Sequence, residues 1–66
     1  MKVSYIVYEE VFGHGWVVEY HVDGYIDYDV RGTYGLGIKI FDTKEKAEAS
    51  GKRYVKKMVE EYGFER

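Results

Sequence analysis

Trp16-Val17-Val18-Glu19-Tyr20-His21-Val22-Asp23-Gly24-Tyr25-Ile26-Asp27-Tyr28 holds two strand-like runs around one glycine turn, and the way they pair decides which side chains the fold buries. A two-residue Asp-Gly turn sets Tyr20 opposite Asp27 and Val18 opposite Asp29, with acids on the same face as the core candidates. A three-residue loop, Val22-Asp23-Gly24, with a left-handed Gly24 after a type I turn, moves the pairing by one. Tyr20 then faces Ile26, Val18 faces Tyr28 and Trp16 faces Val30. A slip of one residue sends every side chain to the other face. The three-residue loop is the expectation, because it yields one clean apolar face. The opposite face then carries Val17, Glu19, His21, Tyr25, Asp27 and Asp29. Glu19 sits across from Asp27 in that arrangement, a like-charge pair that costs some stability.

Upstream, Lys2 to Glu10 is rich in β-branched and aromatic residues and reads as a strand. Val3, Tyr5 and Val7 fall on one side, Ile6 and Tyr8 on the other. Val11-Phe12-Gly13-His14-Gly15 connects it to the strand that begins at Trp16. Downstream, Arg31 to Gly35 reads as a turn and Leu36 to Phe41 as a short fourth strand. The helix follows. Asp42 or Thr43 caps it, and Asp42 with Glu45 has the spacing of a capping box. Ala47, Gly51, Tyr54, Val55, Met58, Val59 and Tyr62 fall in one stripe at 100° per residue. Gly51 in that stripe costs about 1 kcal/mol relative to alanine, and close approach of helix to sheet is the expected return. Gly63 ends the helix as a left-handed cap, with Phe64 folding back on Val59. The expected fold class is α+β: an antiparallel three- to four-stranded meander packed on one C-terminal α-helix, residues 1–66 forming a single domain.

Sixty-six residues are enough for one small core and little more. The absence of cysteine excludes disulfides and thiolate metal sites, and a cysteine-free chain without a signal-like or membrane-spanning run points to the cytoplasm. Charge is uneven. Residues 1–32 hold Lys2 and Arg31 against six acids, a net of −4, and residues 33–66 net +2. Eight tyrosines suit half-buried sheet faces and binding surfaces alike.

Four groups of residues bear on chemistry. Glu19, His21, Tyr25, Asp27 and Asp29, with Tyr34 at a loop tip, form an acidic, tyrosine-bearing set that suits a basic protein partner. His14 and His21 lack the spacing and ligand count of a metal site, and neither metal nor cofactor is expected. Gly32-Thr33-Tyr34-Gly35-Leu36-Gly37 reverses the order of a dinucleotide fingerprint and opens no helix. Lys46, Lys52, Arg53, Lys56 and Lys57 make a basic helix row able to follow phosphates, interleaved with Glu45, Glu48, Glu60 and Glu61. No nucleophile stands beside a base, so no enzyme activity is expected. Ile6, Tyr8 and Val17 leave apolar area on the second sheet face. With an unpaired edge strand, that area makes a homodimer an alternative partner arrangement.

The segment Phe41-Asp42-Thr43-Lys44-Glu45-Lys46-Ala47-Glu48-Ala49 resembles the strand-to-helix junction of the small sheet-plus-helix DNA-binding domains at the N-terminus of phage and transposon integrases. Gly15-Trp16-Val17-Val18 looks like their second strand. The resemblance implies a sheet that lies in the DNA major groove. Here that sheet carries Glu19, Asp27 and Asp29, which repel phosphate, so the architecture carries over and no DNA-contact residue does. The expected function is a small non-enzymatic protein-interaction module, with an accessory or inhibitor of a mobile element as a fitting setting. Nucleic-acid binding along the basic helix row is the alternative.

Overall fold

The computed structural model describes residues 1–28 and 38–66. Strands β1 (Val3–Glu9), β2 (Trp16–Val22) and β3 (Tyr25–Tyr28) form one antiparallel sheet in the order β1-β2-β3, and helix α1 (Lys44–Tyr62) follows. The chain is an α+β fold, three strands and one C-terminal helix. Asp29, Tyr34, the glycine-rich segment 32–37 and the start of the expected fourth strand lie outside the described residues.

The turn between β2 and β3 is not the expected one. Asp23 (φ 50°) and Gly24 (φ 89°) are both left-handed. Two such residues in succession build a two-residue hairpin whose twist matches the strands it joins. Val22 therefore pairs with Tyr25, His21 with Ile26, Tyr20 with Asp27 and Glu19 with Tyr28. The three-residue loop, with Tyr20 facing Ile26, is corrected by one position. The reason is cover. Helix α1 packs on β1 and β2 and leaves β3 bare, so Tyr25 is 78% exposed and Ile26 57%. Burial selects a strand's parity only where one face is buried. On β3 the turn selects it instead.

The helix-facing side of the sheet is built by Val3, Tyr5 and Val7 of β1 and by Trp16, Val18, Tyr20 and Val22 of β2, paired in register. Ala47, Val3 and Val18 are fully buried, with Tyr20, Val55 and Phe41 close behind. Each fully buried valine contributes about 1.5–3 kcal/mol. Tyr20 stacks on Tyr54 with ring centroids 3.9 Å apart and 16° between planes. Its hydroxyl meets the Ser50 hydroxyl at 3.1 Å, which satisfies a serine buried in the helix face. Ser50 was absent from the expected apolar stripe, and Tyr62, which was in it, is 63% exposed at the helix end.

Thr43 is the N-cap, its hydroxyl accepting the Lys46 N–H at 3.2 Å. Asp42 stands one residue earlier and pairs with the Lys46 ammonium at 3.0 Å instead of closing a box with Glu45. At the other end Gly63 is left-handed, and the N–H groups of Gly63 and Phe64 return to the Met58 carbonyl. The chain then runs beside β1, where Val3 N–H donates to Glu65 O at 2.7 Å and Glu65 N–H to Met1 O at 2.8 Å. The expected fourth strand is not formed over 38–41. Phe41 makes a single antiparallel bridge to Trp16, with two backbone hydrogen bonds of 2.8 Å. That bridge lies against Gly15, where a Cβ would come within 2.2 Å of the Phe41 carbonyl oxygen.

Gly51 is the close-approach residue the sequence calls for. A Cβ built there would stand 2.3–2.6 Å from three carbons of the Tyr5 ring. Gly51→Ala should therefore lose about 1–3 kcal/mol to overlap, against about 1 kcal/mol of helix propensity gained. Urea unfolding should show the variant less stable than the parent. In a Tyr5→Ala background the same substitution should be stabilising. A gain in the parent background would mean the helix does not rest on Tyr5.

Candidate functional site

The side of the sheet turned away from α1 carries Ser4, Ile6 and Tyr8 from β1, Val17, Glu19 and His21 from β2, and Ile26 and Tyr28 from β3. Strand alternation fixes this membership once the register is known. Glu19 sits in the middle, flanked by Ile6 and Tyr28, and His21 lies between Ser4 and Ile26. The Glu19 carboxylate is held from two sides. His21 Nε2 is 2.7 Å from Oε1, and the Tyr28 hydroxyl donates to Oε2 at 3.2 Å. The Glu19 side chain is only 14% exposed.

Tyr8 completes the row. Burial, a hydrogen bond with Tyr28 and the nearby Glu19 charge push its hydroxyl up to about 12. Tyr8 and Tyr28 come from opposite sides of β2, so their contact passes over that strand beside Val17, which is 5% exposed. Glu19 thus joins Tyr28 and His21 by hydrogen bonds, with the Tyr8 hydroxyl close beside them, so that the polar set Tyr8, Tyr28, Glu19 and His21 lies across three strands. It stiffens the face. At two corners it leaves Ile6 49% and Ile26 57% exposed.

The β1–β2 connection adds an apolar tip beyond Tyr8. Val11 is 85% exposed and Phe12 80%. Glu10 anchors this tip, accepting the Phe12 N–H at 2.8 Å and contacting His14 Nδ1 at 2.5 Å. The Phe12 N–H, with help from His14, holds the Glu10 carboxyl below the usual carboxylate range.

Of the residues expected to bind a partner, Glu19 and His21 share this face. Tyr25 and Asp27 are placed on the helix side of β3 by the two-residue turn, where both are exposed. Glu19 and Asp27 therefore occupy opposite faces, and the like-charge pair does not form. No group of three possible metal ligands gathers among the described residues. Tyr8, Ile26 and Tyr28 were not singled out as site residues; the two-residue reading of Asp23-Gly24 brings them together.

Ser4 stands opposite His21, but no hydrogen bond joins them among the described residues. The backbone groups of Ser4, Ile6 and Tyr8 point at β2. The basic residues of α1 lie on the other side of the molecule. Lys46 is tied to Asp42. Arg53 borders one concavity with Lys39 and Lys46 and a second with Lys56 and Lys57, while Lys52 borders neither.

The raised Tyr8 hydroxyl fixes the sign of an alkaline transition. The folded state holds the proton more tightly than the unfolded chain, whose tyrosines ionise near 10. The contribution is fully present below pH ~10 and is lost as pH rises toward about 12. Urea midpoints measured across that window should fall for the parent and fall less steeply for Tyr8→Phe. Parallel curves would detach Tyr8 from the network.

No family model matches the chain, and comparison with curated proteins and with solved structures finds no similar protein.

Proposed function

We propose that this domain is a non-enzymatic protein-interaction module that docks its partner on the uncovered face of the sheet. The observation that carries the reading is the exposure of Ile6 and Ile26 around a fixed Tyr8–Tyr28–Glu19–His21 network, on a face that α1 does not cover. An apolar and aromatic centre with a polar rim is the usual anatomy of a recognition surface. Asp23, in the β2–β3 turn, is an exposed acid at the border of this face, while the exposed Glu9 and Asp27 stand on the helix side of the sheet. A partner with an apolar contact surface fits this face. Glu19 differs from these acids, because both its oxygens are engaged within the domain; its part is to hold the two tyrosines and the histidine in place. Val11 and Phe12 extend the apolar surface past the end of the sheet.

The test is capture from the native host, read by mass spectrometry after nuclease treatment. The parent should enrich a defined partner. Ile6→Lys with Ile26→Lys should lose it by tenfold or more while the circular dichroism stays unchanged, since both side chains are exposed and a charge at an interface centre costs several kcal/mol. Arg53→Glu should retain it. Retention by the double variant would overturn the reading. Loss on nuclease treatment or in Arg53→Glu alone would move the function to nucleic acid and the basic side of α1.

A further inference from the structure

We propose that two copies of this chain join through the free edge of β1, in antiparallel register with Val7 on the two-fold axis, so that their uncovered faces become one surface. The inference stands on the edge itself and holds whatever partner the face receives.

The edge can be read from its hydrogen bonds. The Lys2 carbonyl accepts Asp23 N–H on the β2 side, and Glu10 N–H donates to Gly15 O on that same side. The Met1 carbonyl and the Val3 N–H instead face outward, onto Glu65. In an antiparallel pair this direction alternates along the strand. The backbone groups of Tyr5, Val7 and Glu9 therefore point away from the sheet. The C-terminal bridge at Lys2–Glu65 covers the edge only as far as Val3.

Sheet edges are usually blunted with a charge, a proline, a bulge or a covering segment. Between the tail and Glu9 this one presents Tyr5-Ile6-Val7-Tyr8, without charge or proline, and no strand pairs with it among the described residues. Ile6 is 49% exposed beside it. The run is β-branched and aromatic throughout, the composition that favours strand pairing.

The occupant is a second copy because the edge complements itself in one register. Centring the pair on Tyr5 drives the second copy's Tyr8, and centring it on Ile6 the second copy's Glu10, into the place held by Glu65. Centring it on Tyr8 sets the apolar Ile6 across from the second copy's Glu10. Centring it on Glu9 sets the two Glu9 carboxylates face to face, which is unfavourable. Centring it on Val7 avoids all of these. Tyr5 then exchanges backbone hydrogen bonds with the second copy's Glu9, and Val7 with its counterpart. On the uncovered face, Ile6 lies directly across from the second copy's Tyr8. That pair is of the closer, non-hydrogen-bonded kind, in which side chains meet, and it covers the exposed Ile6 with an aromatic ring. Each copy thereby contributes its Tyr8 to the other's surface.

The chain has no cysteine, which makes a cross-linking test clean. Ile6→Cys and Tyr8→Cys variants, mixed and oxidised, should form a covalent dimer. Each alone should form little, because position 6 faces position 8 and not itself. Light scattering of the parent should report twice 7.8 kDa, falling to a monomer in Val7→Pro. Proline there removes an N–H that points out of the sheet and is tolerated on an edge. A parent that scatters as a monomer at millimolar concentration, or a mixture that does not cross-link, overturns the pairing. Cross-linking by Ile6→Cys alone overturns the register. If Val7→Pro does not fold, the cysteine mixture decides. Partner capture by a folded, monomeric Val7→Pro leaves the docking face standing without the dimer, so the two readings fail separately.

Discussion

Two left-handed residues, Asp23 and Gly24, hold the composition of both sheet faces in their backbone. With them in place, Ile26 and Tyr28 turn away from the helix and Asp27 turns toward it. A loop one residue longer would exchange those positions. Tyr28 would leave Glu19, and the carboxylate would lose one of its two side-chain partners. Asparagine and aspartate reach the left-handed region at lower cost than other side chains, and glycine reaches it freely. The pair is thus a local, low-cost device with a consequence that spans three strands.

The rest of the fold is arranged around a shortage of cover. One helix of 19 residues shields two strands of a three-stranded sheet. Its seat is close because Gly51 lets the backbone come down on the Tyr5 ring, and it is pinned by polar contacts to two directly paired tyrosines of β1 and β2: Tyr5 to Glu48 at 2.8 Å and Tyr20 to Ser50 at 3.1 Å. β3 and the whole far face remain outside this shield. A domain so small has little apolar surface to spare. That it leaves Ile6, Ile26, Val11 and Phe12 in water is what gives the far face its interest as a docking surface.

Much of this was legible in the residues. The helix start, stripe and stop agreed with one another, and so did the need for glycine at position 51. That agreement across levels is what makes a segment readable. β3 was not readable by the same means. A three-residue loop follows only where alternation on β3 reflects a buried face, and Tyr25, Ile26 and Asp27 are all exposed. Turn chemistry was then the only local signal, and Asp-Gly favours the two-residue form. The register carries the face with it: Glu19 and His21 lie on the face expected of them, Tyr25 and Asp27 on the other, and Ile26 and Tyr28, expected against the core, join Tyr8 on the far side. Ser50 was passed over because a serine does not look like a core residue until its partner, Tyr20, is found above it. The bridge from Glu65 to Lys2 joins the two ends of the chain, and no periodicity announces such a contact.

The register of β2 against β3 is the quantity on which the far face stands, and nuclear Overhauser effects between α-protons read it directly. Residues opposite each other in non-hydrogen-bonded positions bring their α-protons into close contact. The structure places His21 with Ile26 and Glu19 with Tyr28 in such positions. Strong α-proton cross-peaks for those two pairs are the expected result. Cross-peaks joining Tyr20 to Ile26 and Val18 to Tyr28 would contradict it, and would take the Tyr8–Tyr28–Glu19–His21 face with them.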